Sequence, residues 1–314
     1  MNLCFMFPGQ GTQKPGMLRE LGNRMEAAAP IFQAAREATG RDVQELCLTA
    51  SAEELQRTEN TQLAVTAMNL AYLNLLRQDG IKPDVAMGHS LGQFSALVAA
   101  ECLRVEQVFS VVQKRAELMS QVTRPGMLCS VIGLELSVVE QICKDVDPTG
   151  QRLVVALHNT PNQIVMGGEP EVVTQAETAC KQAGALRTVP IRVSHAFHTP
   201  LMQQMEQMFG EFLETVDFAQ PKCKLMLNCK GDFATSVAEI KQEIVAQCCH
   251  PVLWTEGVKK VIASTDELLF AEVGVGKVLT GMMRSIDNHQ TMLMLSNPAQ
   301  YNKFIKLGKG GSNV

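Results

Sequence analysis

Three features of the sequence predict an α/β fold with a parallel sheet and a small inserted domain. Met87-Gly88-His89-Ser90-Leu91-Gly92-Gln93 joins a short apolar run to an apolar helical stretch, Phe94–Ala100. The helix Gln62–Gln78 leads directly into that run, Asp84–Met87, giving the helix-strand-helix order of a parallel core. Between residues 125 and 191 the pattern becomes β-α-β-β-α-β, the ferredoxin-like order. We therefore expect a large α/β-hydrolase-like domain at 1–124 and 192–306, a ferredoxin-like insert at 125–191 and a flexible tail at 307–314.

The 314 residues are 46% hydrophobic and 19% charged, enough to bury a sizeable core. No apolar run reaches the ~18 residues of a membrane span, and the apolar start lacks a basic region and a cleavage site. A net charge of −4 makes no electrostatic case for nucleic acid. Ten cysteines lie scattered without a Cys-x-x-Cys, so the composition predicts neither a metal site nor a disulfide framework. The expectation is a monomer without metal or cofactor, cytoplasmic or the processed form of an organellar protein.

Taken in order, Leu3–Phe7 reads as the first strand, feeding the glycine-punctuated loop Pro8-Gly9-Gln10-Gly11-Thr12-Gln13. A helix is predicted at Pro30–Thr39, then a charged stretch around Ala52-Glu53-Glu54. Gln62–Gln78 is apolar nearly all round and should be buried, with Thr61 as N-cap and Asp79-Gly80 closing it. In the helix Val105–Gln121, 3–4 spacing places Arg115 on an apolar stripe with Val108 and Leu118. An arginine there is costly unless it snorkels to water or meets a carboxylate, Glu117 being one candidate.

The insert reads as strand Met127–Gly133, helix Ser137–Asp145, strands Leu153–Asn159 and Gln163–Gly167, helix Glu169–Ala183 and strand Leu186–Ile191. After His195-Ala196-Phe197-His198 a helix is expected to present Leu201, Met205, Met208, Phe212 and Val216 on one face. A strand at Lys224–Asn228, helices at Val237–Gln247 and Trp254–Ala263 and a strand at Glu267–Val273 follow. Gly274-Val275-Gly276-Lys277 then opens a helix reaching Met283.

Gly-x-Ser-x-Gly between strand and helix is the nucleophile-elbow pattern, which lifts the serine oxygen clear of the backbone at a helix N-terminus. A base must accompany it. Of six histidines, His195 and His198 sit where the chain re-enters the large domain, whereas His89 should point away from the serine. The acids between Ser90 and His198, such as Asp145 and Asp147, fall largely in the insert, so a Ser-His-Asp hydrolase fits poorly.

Six segments in register carry a resemblance: Phe7-Pro8-Gly9-Gln10-Gly11, Gly88-His89-Ser90-Leu91-Gly92, Arg115-Ala116-Glu117-Leu118-Met119, His198-Thr199-Pro200-Leu201-Met202, Gln247 with His250-Pro251-Val252, and Glu272-Val273-Gly274-Val275-Gly276-Lys277. Together they resemble malonyl-CoA:acyl carrier protein transacylases and the acyltransferases of polyketide synthases. The resemblance runs from Phe5 to about Met283 and covers the insert. Gln93, Thr12, Val275 and His250 depart from the family's usual residues.

The resemblance implies Ser90 as nucleophile, His198 as general base, and the Gln247 carbonyl orienting the imidazole. It also implies an oxyanion hole from the Gln10 and Leu91 amides and Arg115 gripping the malonyl carboxylate. His195 and Phe197 are the form that goes with malonyl rather than methylmalonyl selection. The implied partners are malonyl-CoA and an acyl carrier protein, for fatty-acid or polyketide synthesis, with no nucleic acid and no membrane. Arg187, Arg192, Lys222, Lys224, Lys277 and Arg284 are candidates for a basic rim facing an acidic carrier. A proofreading acyl hydrolase, an acyltransferase for another extender unit and an inactive docking subunit are the competing readings.

Overall fold

β1 (Asn2–Phe7) is apolar from Leu3 onward because it lies mid-sheet with helices on both faces. In a computed structural model describing residues 1–191, 193 and 195–310, its side chains alternate. Leu3, Phe5 and Phe7 enter the main core, while Cys4 and Met6 enter a second cluster around Trp254 and Val258.

After two 3-10 segments, Met17–Arg24 and Glu26–Ala28, come α1 (Ala29–Thr39), α2 (Val43–Thr49), α3 (Ala52–Gln56), α4 (Thr58–Gln78), β2 (Val85–Gly88), α5 (Gly92–Ala99) and α6 (Val105–Ser120). The smaller sheet follows: β3 (Met127–Ile132), α7 (Leu136–Val146), β4 (Leu153–Thr160), β5 (Gln163–Gly168), α8 (Pro170–Gln182) and β6 (Arg187–Ile191). The chain returns through a 3-10 turn (Pro200–Met202) to α9 (Gln203–Leu213), β7 (Lys224–Leu225), α10 (Val237–Ala246), α11 (Trp254–Ala263), β8 (Leu268–Glu272), α12 (Val278–Ile286), β9 (Thr291–Met294) and α13 (Pro298–Gly310). The first sheet is parallel throughout, in the order β7-β2-β1-β8-β9; the second is antiparallel, β4-β5-β3-β6. The protein is thus α/β, with one parallel and one antiparallel sheet.

The antiparallel sheet packs Cys129, Val131, Ile164 and Met166 against α7 and α8. Its other face, including Leu128 and Val165, turns toward the large sheet. Val252 pairs with the edge of β4: its amide donates to Ala156 and its carbonyl accepts from His158, each at 2.9 Å. His158 Nδ1 also meets Glu256 at 2.6 Å, so the segment just after Gln247 is tied to the small sheet.

Several sequence expectations are corrected. α4 begins at Thr58, and Thr61 is no N-cap; its buried hydroxyl donates to the Leu55 carbonyl. The buried stripe of the Pro200–Leu213 region is Leu201, Met205, Phe209 and Leu213; Met208 is 40% exposed. A constant four-residue step follows the core better here than the 4-3-4-4 reading. β7 is only two residues long, because Leu227 turns away to accept from Gly231 and donate to Asp232. The first half of the expected tail, 307–310, is helix: it ends α13, whose Tyr301 and Phe304 lie ahead of it and are buried, Phe304 edge-on to Phe5. Only 311–314 of that tail lie outside the described residues, as does Arg192 of the proposed rim. Among the described residues, no helix is long and apolar enough to cross a membrane.

Candidate active site

The elbow is made by close backbone approach. A Cβ on Gly88 would overlap Gly92, and one on Gly92 would overlap the Phe7 carbonyl, so the turn between β2 and α5 admits only glycine at both ends. Ser90 adopts φ 51, a left-handed conformation that is costly for a side-chain-bearing residue. Asn228 holds it there: Oδ1 accepts from the Ser90 amide and Nδ2 donates to the Gly88 carbonyl, both at 2.8 Å.

His198 reaches this serine from the segment following β6. Its amide donates to the Cys248 carbonyl at 3.1 Å, and its φ of 63 aims the ring at the elbow. Nε2 lies 2.7 Å from Ser90 Oγ, and Nδ1 lies 2.7 Å from the Gln247 carbonyl oxygen. A carbonyl can only accept, so Nδ1 carries the proton and Nε2 is left to accept from the serine hydroxyl. Burial, followed by the Arg115 cation, pushes the imidazole pKa down from 6.5 to about 3. The pair therefore rests as a neutral base on a serine hydroxyl, with a peptide oxygen where a triad has its carboxylate.

Arg115 is 1% exposed, so it does not snorkel. Among the described residues no carboxylate pairs with it, Glu117 included. Nη1 donates to Gln62 Oε1 at 2.8 Å and Nη2 to Gln247 Oε1 at 3.4 Å, while the guanidinium lies over Phe94 at 5.3 Å. Its Nε has no partner among the described residues. Gln62 is fixed by a second bond, from Nε2 to Met119 Sδ at 2.9 Å.

A cavity of about 370 Å³ opens over Ser90 and His198. Gly9, Gln10, His89 and Phe197 line it, as do Val278, Leu279 and Met282 at the start of α12 and one face of the antiparallel sheet. The loop bearing Gln10 backs onto the elbow, since a Cβ on Gly9 would lie 2.5 Å from the His89 carbonyl oxygen. Leu91 is fully buried beneath it. Arg115 stands behind the wall, at Gln247 and Phe94, rather than on it. His195 is also set back: Nε2 bonds the Val122 carbonyl at 2.7 Å and its ring centroid is 6.2 Å from that of Phe197.

The other motif residues are structural. His89 points away from the serine to Asn159 Oδ1, 2.7 Å away. His250 is exposed and bonds the Ala246 carbonyl, leaving the Gln247 oxygen to His198. The glycine loop before α12 holds no space for an outside anion at the helix start, because Glu272 accepts from the Leu279 and Thr280 amides at 3.0 and 2.9 Å. Asn228 and Gln62 carried no spacing signal, although Gln62 is a polar residue in a helix otherwise apolar nearly all round.

Residues 4–291 match the family described as the acyl transferase domain. The chain belongs to that family. This acyltransferase is 33% identical over 298 residues to the malonyl CoA-acyl carrier protein transacylase of Bacillus subtilis, covering 94% of each chain. It is 34% identical to the transacylase of the same name from Haemophilus influenzae, covering 95% of this chain and 96% of that one. Among solved structures, it superposes on a malonyl-transacylase in complex with a type II polyketide acyl-carrier protein with a TM-score of 0.93 at 32% identity, covering 98% and 100% of the chains. Against the malonyl-CoA:acyl carrier protein transacylase of Xanthomonas oryzae the acyltransferase gives a TM-score of 0.91 at 34% identity, with 98% of both chains covered.

Proposed function

We propose that this acyltransferase moves the malonyl group of malonyl-CoA to the phosphopantetheine thiol of an acyl carrier protein, in fatty-acid or polyketide synthesis. The reaction passes through a malonyl ester on Ser90. The observation that carries the reading is the buried Arg115, which has no acidic partner among the described residues and joins the Ser90–His198 pair through Gln247.

Ser90 Oγ attacks the thioester carbonyl while its proton passes to His198 Nε2. The oxyanion is received by the Gln10 and Leu91 amides; one such donor is typically worth ~3 kcal/mol in the transition state. The carbon–sulfur bond breaks, and the departing thiolate takes the proton from His198. The pantetheine thiol then gives its proton to the same nitrogen and attacks the ester; the bond from the acyl carbon to Ser90 Oγ breaks, and that oxygen takes the proton back from His198. Arg115 advances from its place behind the wall, beside Gln247 and Phe94, to hold the malonyl carboxylate, whose two oxygens match a guanidinium fork. Phe197 fills the space an α-methyl group would need, with His195 behind it.

The sheet order β6-β3-β5-β4 supports a ferredoxin-like insert at 125–191 within a hydrolase-like domain at 1–124 and 192–306. Ten free cysteines favour a reducing compartment such as the cytoplasm, and we take the working unit to be a monomer. Lys277 and Arg284 flank the α12 residues at the cavity mouth and suit an acidic carrier, whereas Lys222 lines a separate hollow with Arg77 and Lys82.

Intact mass after incubation with malonyl-CoA tests the proposal. A malonyl adduct on Ser90 that persists and moves to added carrier protein is the expected result. Rapid loss of the adduct to water would make the protein a hydrolase, and no adduct would make it a docking subunit.

A further inference from the structure

Gln247 does more in this structure than present a carbonyl to His198. Its side-chain Nε2 lies 2.8 Å from Gln93 Oε1, 3.1 Å from Asn228 Oδ1 and 3.2 Å from the Ser90 carbonyl oxygen. Its Oε1 accepts from Arg115 Nη2 at 3.4 Å. The amide orientation is fixed chemically, because a guanidinium offers only donors and must face the oxygen. One fully buried residue therefore touches the nucleophile's backbone, the residue clamping that backbone, the catalytic imidazole and the carboxylate-binding cation.

We propose that the Gln247 side chain is a positioning residue that links occupancy of Arg115 to the alignment of Ser90 and His198. An acyl group bearing a carboxylate then gains in the acylation step as well as in binding. This rests on the roles proposed above for Ser90, His198 and Arg115.

Two features make the link adjustable. The NH2 group has two hydrogens for three acceptors, so its place is a compromise among them. The contact to Arg115 is the longest that Gln247 makes, and two buried donors beside it, Arg115 Nε and Gln93 Nε2, have no partner among the described residues. A carboxylate drawing the guanidinium toward itself changes the one bond recorded at Oε1. The amide resettles, and with it the Ser90 carbonyl, Asn228 and the peptide whose oxygen aims His198. In a buried site such bonds are strong and no water replaces them, so small shifts reach the reacting atoms.

The test measures acylation rate and KM for malonyl-CoA and acetyl-CoA in the wild type, Arg115→Ala, Gln247→Met and Gln247→Glu, with folding checked by thermal melting. Gln247→Met keeps the carbonyl and the approximate shape but removes every side-chain hydrogen bond. It is expected to slow malonyl acylation ~10- to 100-fold at nearly constant KM, the size of effect that a misplacement of about 1 Å produces. Acetyl acylation should fall much less. Gln247→Glu offers Arg115 a carboxylate in place of the amide oxygen and is expected to raise KM for malonyl-CoA, which keeps the proposal testable should Gln247→Met not fold. Equal slowing of both acyl groups in Gln247→Met, or an unchanged malonyl KM in Gln247→Glu, overturns the link while leaving the site intact. An unchanged malonyl-to-acetyl ratio in Arg115→Ala overturns the role of the cation itself, and the link with it.

Discussion

His198 Nδ1 donates across 2.7 Å to the peptide oxygen of Gln247, not to a carboxylate. A carboxylate would raise the imidazole pKa strongly; burial and then the Arg115 cation outweigh the smaller upward pull of the neutral Gln247 oxygen and leave it at about 3. The base is lost only when Nε2 takes a proton, so activity should persist well below the ordinary histidine range. The rate of Ser90 acylation at low malonyl-CoA, followed from about pH 7.5 to about pH 5, is expected to show no limb near 6.5. The stability sign is opposite to that of a paired histidine. The unfolded chain takes up this proton near 6.5 and the folded chain only near 3, so the group's contribution is lost as pH falls through that window.

Arg115→Ala removes the cation and leaves Gln62 Oε1 and Gln247 Oε1 without their donor. A charge-assisted hydrogen bond contributes ~1.5–3 kcal/mol, so malonyl transfer should fall at least ~10-fold, and by more where two such bonds are lost. Acetyl transfer should fall less and gain in relative terms. Arg115→Lys should recover only part of the malonyl rate, because one ammonium cannot meet both glutamines and a carboxylate in the same geometry. Competition assays with the two CoA esters give the ratio directly.

Asn228→Ala takes away the only side chain bonded to both sides of the elbow among the described residues. Backbone strain of the kind held at Ser90 costs ~1–3 kcal/mol, and the elbow would relax once unsupported. The rate of serine acylation should drop ~10- to 100-fold with little change in KM. Melting temperature should fall as well, since the Gly88 carbonyl is left buried and unbonded.

The sequence reveals this site unevenly, for physical reasons. Gly88, Ser90 and Gly92 are legible because a turn this tight tolerates no other residues, and Arg115 because a cation on an apolar stripe demands explanation. Chain re-entry and resemblance point to the pairing of Ser90 with His198; nothing in spacing encodes a contact between segments 108 residues apart. Asn228 leaves no trace, because its role depends on where β7 ends and one asparagine after a short strand looks like any turn. α13 was hidden for a related reason. Its glycines and lysines suggest a tail, yet Phe304 packs on Phe5 of β1 and Tyr301 donates to Asp79, tertiary contacts that override local propensity.

Gly92→Ala should be far more damaging than an ordinary helix substitution. Alanine is the better helix former, but its Cβ would enter the Phe7 carbonyl at the centre of the parallel sheet. β1 and α5 would have to separate, so a loss of at least ~3 kcal/mol is expected, seen as a large drop in melting temperature or failure to accumulate as folded protein. Near-normal stability with normal activity would mean that the approach of elbow and strand is not what fixes Ser90.

The selectivity between extender groups proposed for Phe197 is open to a direct test. Its ring is 5% exposed, lines the cavity beside His198 and is backed by His195. Shortening it to leucine opens room near the α-carbon of a bound malonyl group without touching Ser90, His198 or Arg115. One methyl in such a pocket is worth ~1–3 kcal/mol, so the methylmalonyl-to-malonyl ratio should rise ~10- to 200-fold in Phe197→Leu. The malonyl rate itself should change little, since the carboxylate contact is intact. Mass spectrometry of Ser90 adducts from an equimolar mixture of the two CoA esters measures that ratio, and a ratio unmoved from the wild type would remove Phe197 from the determinants of selectivity.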